Sequence, residues 1–286
     1  MKNIVMGVDI GGSHITALLI DIDKKEEIQG SWSRENLDSN ASADRIIDAW
    51  AATIEKSIRS YQLFPARINI AMPGPMDYQK GICKIKGQGK YEALYGLNIK
   101  NMLAIRLGLS SSDINFVNDA ASFLKGELFK GSLNNVSQAI GLTLGTGLGT
   151  AHTENGCVKD TDLWKMPFLK GVAEDYISTR WFIKRFHEMT GIKVMDVKDL
   201  VDNHKGSPYF NAVFLEFSVN LAKFLYKFIR IKMPLAVVIG GNIANAEEFF
   251  LENTRRFLAS KMGYSFPVEK SLLGEKATLL GAGASI

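Results

Sequence analysis

The chain has 286 residues, more than one average domain holds, so two lobes are expected. Apolar residues make up 46% and charged residues 22%, and the formal charge of +4 is spread without a basic cluster or an aromatic–arginine stripe, which argues against a nucleic-acid surface. Cys83 and Cys157 stand far apart, excluding a disulfide framework and a zinc ribbon or finger; no apolar stretch is long enough to span a bilayer, the N-terminus enters a strand directly, and a cytoplasmic protein is expected.

The first element is a hairpin. Strands near 3–9 and 14–21 flank Gly11, Gly12 and Ser13, two glycines set in apolar alternation. Such a turn bares backbone N–H groups able to cradle a phosphate. Asp9, ending the first strand, then stands where a magnesium ion on that phosphate could be held, directly or through water. An ordinary hairpin with a surface acid fits the same run. A third strand is predicted near 27–33, and Ala43–Tyr61 has helical spacing, with Ile46, Ile47, Trp50, Ile54 and Ile58 on one face. Ile68–Met72 reads as a strand ending in the rigid turn Pro73-Gly74-Pro75; Asn98–Leu107 is helical and Ile114–Val117 is another strand.

At the carboxyl end of that strand stand Asn118 and Asp119, where open α/β sheets put their ligands. With a phosphate on the glycine turn, a hydroxyl acceptor must lie in line with it, and a nearby carboxylate must take its proton. Asp119 suits that task, and Asn118 could hydrogen-bond the same polyol. Both residue types also cap helices, and a cap is the competing reading.

After a helix to about Lys130 the pattern restarts. Strands near 137–144 and 148–153 enclose a second glycine turn, Gly145-Thr146-Gly147, in which the Thr146 hydroxyl adds a donor to the backbone amides. Helices are predicted at about 172–188 and 208–231, a strand at 235–240, and a helix at about 245–260. Gly240, Gly241 and Asn242 lie where strand gives way to helix, a setting for close backbone approach to a nucleotide. Lys276–Ser285 reads as a last helix packing back on the first lobe. Strands alternating with helices give an α/β class, the halves read as a loose duplication, and the ligand is expected in a cleft whose closure is the functional motion.

These residues resemble the ROK (repressor, ORF, kinase) sugar kinases of the actin–hexokinase ATPase superfamily, over nearly the whole chain. Asp9-Ile10-Gly11-Gly12-Ser13 is similar to the family's first phosphate motif, Pro73-Gly74-Pro75-Met76-Asp77 to its sugar-lobe turn, and Asn118-Asp119 to its sugar-binding Asn and catalytic Asp, with Gly126-Glu127 at the usual interval. Leu144-Gly145-Thr146-Gly147-Leu148-Gly149 resembles the second phosphate motif, Val238-Ile239-Gly240-Gly241-Asn242 the adenosine motif, and Leu280-Gly281-Ala282-Gly283 the closing helix. The resemblance implies a ribonuclease H-like, actin/hexokinase-like fold of two lobes: a sugar-side lobe over 1–117 joined by 274–286, and a nucleotide-side lobe over 118–273. It also implies ATP and magnesium as co-substrates, a hexose-like sugar as acceptor, and a dimer or tetramer of the chain.

The departures bear on the acceptor. The family's Glu-x-Gly-His segment and its cysteine-rich zinc motif are missing, so no zinc site is expected. Glu174 matches the last sugar-binding Glu, while Asp162 and Lys165 fall at the missing Glu and His, and solvated loop charges are the competing reading for both. A lysine cannot accept a hydroxyl proton as a neutral imidazole can. His14 takes the place of a common Lys in the first motif. A catalytically silent sugar or nucleotide sensor is the rival function; a bare nucleotidase or chaperone-type ATPase fits poorly without a peptide-binding domain. With eight residues ahead of Asp9, a helix-turn-helix repressor is disfavoured.

Overall fold

Each of the two glycine turns closes a hairpin that seeds its own sheet. The computed structural model describes residues 3–59, 61 and 64–285, which form two compact units, one of 1–130 with 275–286 and one of 131–274. The first unit contains β1 (Ile4–Ile10), β2 (His14–Asp21), β3 (Glu26–Glu27), β4 (Ser33–Asn36), α1 (Ala43–Arg59), β5 (Ile68–Met72), β6 (Met76–Asp77), β7 (Ile82–Cys83), α2 (Ile99–Leu107), β8 (Ile114–Asn118) and α3 (Asp119–Phe129). The second contains β9 (Ala139–Leu144), β10 (Leu148–Glu154), β11 (Cys157–Asp160), β12 (Pro167–Phe168), β13 (Gly171–Val172), α4 (Thr179–Thr190), α5 (Val197–His204), α6 (Pro208–Lys232), β14 (Ala236–Gly240), α7 (Leu251–Met262) and β15 (Val268–Lys270). The closing helix α8 (Lys276–Gly283) returns to the first unit. None of the described helices is long and apolar enough to cross a membrane.

The sheets share one plan. The first runs β3-β2-β1-β5-β8, with β4 also on β2; the second runs β11-β10-β9-β14-β15. In each, the strand before the glycine turn pairs antiparallel with the strand after it and parallel with the next, Met6 opposite Ile68 in one and Val237 opposite Ile140 in the other. The duplication read from the glycine motifs is therefore a duplication of topology. Central parallel strands are covered on both faces and so read as continuous apolar runs; β5 and β14 are buried at every residue.

Local chemistry sets the boundaries. Asn98 caps α2 through its Oδ1 on the Asn101 N–H at 3.0 Å, and Gly108 ends it with φ 66°. Ser207 caps α6, whose first residue is Pro208. The expected strand near 27–33 is split into β3 and β4: Gly30 turns the chain with φ 80°, and the buried Ser31 hydroxyl takes the Leu19 N–H that a continuous ladder would have used. The helix expected to Tyr61 is seen to Arg59; Ser60 lies outside the described residues. In place of one helix over 172–188 there is a short turn of 3-10 helix at Ala173–Asp175 and then α4, because the Thr179 N–H bonds the Gly145 carbonyl rather than a preceding helical turn. The stretch after Gly241 is likewise 3-10 over Asn242–Phe249, interrupted at Ala246, before α7.

The division of the chain differs from the expected 117/118. Helix α3 belongs to the first unit because it packs against α8 at glycine distance. A Cβ placed on Gly281 would stand 1.8 Å from the Ser122 carbonyl oxygen, and one on Gly126 would stand 1.9 Å from that of Ala277. On its other side α8 meets β1, where a Cβ on Gly7 would fall 2.1 Å from the Leu279 oxygen. Buried Asn69 on β5 ties down the end of α8, donating to the carbonyls of Gly283 at 3.2 Å and Ser285 at 2.8 Å. Helix α8 is thus a backbone-to-backbone spacer between β1, which carries Asp9, and α3, which begins with Asp119. The second unit is held differently, by an aromatic core in which Phe182 and Phe217 of α4 and α6 stand 4.6 Å apart.

Candidate active site

The first glycine turn is a tight one: the Gly11 N–H bonds the His14 carbonyl at 2.9 Å, and Gly12 and Ser13 are exposed at its tip. The Ser13 carbonyl accepts the Leu37 N–H at 2.8 Å, and its hydroxyl lies 3.3 Å from His14 Nδ1. Desolvation, with the positive field of Arg34, pushes the His14 pKa down, so this imidazole is neutral. Asp9 precedes the turn at the end of β1, and among the described residues its carboxylate makes no hydrogen bond or ion pair. Burial raises its pKa to about 7, helped by the negative fields of Asp119 and Glu275 and opposed by Arg34. Asp119 is pushed up as well, chiefly by burial; the Ala120 N–H, which its Oδ1 accepts at 2.8 Å, and the charge of Lys90 act against that rise.

The sheet register brings these acids together. Asp9 pairs with Ala71 on β5, which pairs with Val117 on β8, so the ends of β1 and β8 reach the same edge. Two carboxylates that feel each other in a desolvated site, one of them without a protein partner, match the donor chemistry of a hard divalent cation. The residues present therefore fit magnesium near Asp9. Among the described residues no group of three or more His, Cys, Asp or Glu side chains is gathered as a metal cage.

Asn118 performs the competing role as well as standing in the site. Its Oδ1 caps α3 by accepting the Ala121 N–H at 3.0 Å, while its Nδ2 donates to the Tyr78 hydroxyl at 3.3 Å. Tyr78 in turn donates to the Met72 carbonyl at 3.0 Å, and a Cβ on Gly74 would stand 3.3 Å from that phenol oxygen. Gly74 is therefore the residue that lets Tyr78 lie against Asn118. Tyr78 was not singled out from the sequence, and no local signal marks it.

In the second unit Gly145 and Gly147 close their turn through a 3.0 Å bond from the Gly145 N–H to the Gly147 carbonyl, leaving Thr146 exposed at the tip. Glu174 sits directly beneath. Its Oε2 accepts the Leu148 N–H at 2.9 Å and would stand 2.5 Å from a Cβ on Gly147, while its Oε1 is paired with Arg180. Gly241, at φ 85°, lies against the backbone of Leu144, where a Cβ would be 2.4 Å from the carbonyl oxygen. So Gly240, Gly241 and Asn242 border the second turn, with Gly241 and Asn242 exposed. Asp162 and Lys165 are spent on each other: Lys165 Nζ lies 2.8 Å from Asp162 Oδ2, both half-exposed, and the Trp164 indole N–H donates to Asp162 Oδ1 at 3.3 Å. The Lys165 ammonium holds the Asp162 carboxyl below its ordinary range.

Comparison with known proteins finds relatives over nearly the whole chain. A family model described as "ROK family" matches residues 5–160. A glucokinase of Thermotoga maritima is 25% identical, the match covering 99% of this chain and 96% of that protein. A ROK hexokinase of Thermus thermophilus superposes with a TM-score of 0.79 at 23% identity, covering 98% of this chain and 96% of the other. A ROK family glucokinase of Streptomyces griseus, solved with glucose and AMPPNP, gives 0.80 at 20% identity and 98% of both chains.

Proposed function

The chain belongs to the ROK family, and on that premise we propose that it is an ATP-dependent sugar kinase acting on a hexose-like sugar. The observation that supports this reading most is the pair of desolvated carboxyls, Asp9 and Asp119, sharing one electrostatic field beside the first glycine turn. A pure binding protein has no use for a buried carboxyl whose proton affinity is raised, whereas a base that must take a hydroxyl proton works best with one.

In this reading the Gly11-Gly12 and Gly145-Thr146-Gly147 turns hold phosphate oxygens through backbone N–H groups, with Ser13 beside the first and Gly240, Gly241 and Asn242 on the adenosine side. Asp9 would hold magnesium, directly or through water, and that ion would supply positive charge to the phosphates. Asn118 and Glu174 orient the sugar, with Gly74 and Asp162 bordering it. Asp119 takes the proton of the acceptor hydroxyl as that oxygen bonds to the terminal phosphorus. The bond from that phosphorus to the bridging oxygen breaks, leaving ADP and the sugar phosphate. Positioning and charge stabilisation supply most of the rate.

The experiment is ATP consumption across hexoses, amino sugars and N-acetylated sugars. Turnover of at least one sugar is expected. Binding of sugar or nucleotide with no turnover on any would favour the silent sensor, the rival reading motivated by the missing Glu-x-Gly-His segment.

Glu174 offers a second measurement. Because its carboxylate holds the Leu148 N–H directly under the second turn, Glu174→Ala is expected to raise the KM for ATP about tenfold or more, the loss of a charge-assisted bond of about 1.5–3 kcal/mol. Steady-state kinetics with each substrate varied in turn will read this. A change confined to the sugar KM would assign the carboxylate to the acceptor alone.

A further inference from the structure

Lys90 has no part in the machinery described so far, yet the fold goes to some length to place it. It ends the segment 86–90, which is fixed at both sides. On one side the Glu92 carboxylate accepts the backbone N–H groups of Gln88 at 2.9 Å and Gly89 at 3.3 Å. On the other, Tyr91 is fully buried with φ 57°; it donates its hydroxyl to the Gly11 carbonyl and its N–H to the Ser39 carbonyl at 2.8 Å. Its ring packs edge-on against Trp50 at 5.8 Å. A left-handed backbone at a tyrosine is costly and persists only where its surroundings demand it.

The anchors lay the stem of Lys90 along the first glycine turn. A Cβ built on Gly12 would be 3.7 Å from Lys90 Cδ, ordinary van der Waals contact. Among the described residues Lys90 makes no hydrogen bond and no ion pair, whereas Arg34, the other cation felt at this site, is already bound to Glu275 at 2.6 Å. A half-buried lysine whose stem lies against the first glycine turn, with no hydrogen bond or ion pair holding its ammonium, is placed to meet an anion cradled by that turn's backbone N–H groups.

We propose that Lys90 is the cation that receives the terminal phosphate of the nucleotide on the Gly11-Gly12 turn, on the same side as Asp119. This inference rests on the kinase reading. The ammonium would contact non-bridging oxygens, whose charge it stabilises through the transfer, and would leave the sugar untouched. The donor class follows from the chemistry: a nucleoside triphosphate is bound through this contact, whereas a monophosphate, ending short of the turn, is not.

The test compares Lys90→Met, which keeps the stem and removes the charge, with Lys90→Arg, which keeps the charge. For Lys90→Met a fall in kcat of about 10²–10³-fold is expected, the usual cost of losing one preorganised charge contact, with the sugar KM within about threefold of native. Lys90→Arg should recover at least about tenfold of that loss. A Lys90→Met enzyme with native kcat and native ATP affinity overturns the proposal, and so do two variants equally impaired with lowered melting temperatures, which would mark a structural role. Calorimetric titration of ATP and of AMP into native and Lys90→Met protein separates this question from the kinase reading. If the native chain phosphorylates no sugar, the kinase reading fails, and a loss of affinity confined to ATP still upholds Lys90. Equal ATP affinity in the two proteins, or no ATP binding by either, overturns it.

Discussion

Asp119→Asn is expected to lower sugar phosphorylation by about 10²–10⁴-fold, the range for removing a positioned base, while leaving ATP affinity close to native. Asparagine keeps the oxygen that accepts the Ala120 N–H, so α3 should begin as before. The same variant should be more stable than the native chain at neutral pH. Burial raises the pKa of Asp119 in the folded state above that of the unfolded chain, and raises Asp9 to about 7 with Asp119 contributing. Between about pH 4 and 7 the folded protein therefore holds protons that the unfolded chain has released, and stability falls as pH rises through that window. Removing one carboxyl removes its own desolvation cost and its repulsion of the other. A higher melting temperature than native at pH 7.5, with the difference shrinking toward pH 5, is expected from thermal melts without magnesium or nucleotide. Near-native turnover in this variant would dismiss Asp119 as the base. A melting temperature unchanged across that pH range would dismiss the electrostatic account.

Kinetics should carry the same signature. Because the base works only when deprotonated, the acid limb of kcat/KM should lie above the ordinary carboxylate range, and the Asn variant should lose that limb together with its rate.

The parts of this fold that were legible in the sequence are those governed by local rules. Val5–Asp21 announces its hairpin because glycine turns and apolar alternation act over a few residues, and β5 and α2 carry their own boundary signals. Asn118 and Asp119 could be placed at a strand end for the same reason. What the sequence hid depends on approach between distant segments. Lys90 and Tyr78 are unremarkable in their own stretches, and their positions follow from Tyr91 reaching Gly11 and from Gly74 admitting a phenol ring. Glu174 could be singled out as a candidate from the sequence, but its bond to the Leu148 N–H depends on how the 3-10 turn at Ala173–Asp175 meets the second hairpin. The unit boundary was misplaced for a related reason. Helix α3 follows β8 directly, and only its contact with a helix at the far end of the chain assigns it to the first unit.

That contact yields the second large effect. Gly281→Ala is expected to destabilise the first unit by about 3 kcal/mol or more, at the upper end of overpacking costs, because the methyl would be aimed at backbone that no rotamer change can move aside. Its nearest neighbours would be the Ser122 carbonyl oxygen at 1.8 Å and the Gly126 nitrogen at 2.5 Å, so α3 and α8 must separate or one must unwind. A fall in melting temperature on the order of 6–12 °C follows, at 2–4 °C per kcal/mol for a chain of this size class. Gly126→Ala should act alike, and the double variant should cost less than the sum, because helices already forced apart by one methyl have room for the second. Activity should suffer beyond the loss of folded protein. The spacer that α8 provides between β1 and α3 fixes the distance between Asp9 and Asp119, so the fraction that remains folded should turn over more slowly at unchanged sugar affinity. Melting and steady-state kinetics at a temperature where both proteins are folded will test this. An alanine at 281 that melts within about 2 °C of native would show that the helices yield, and that the close crossing is not what holds the two carboxyls in place.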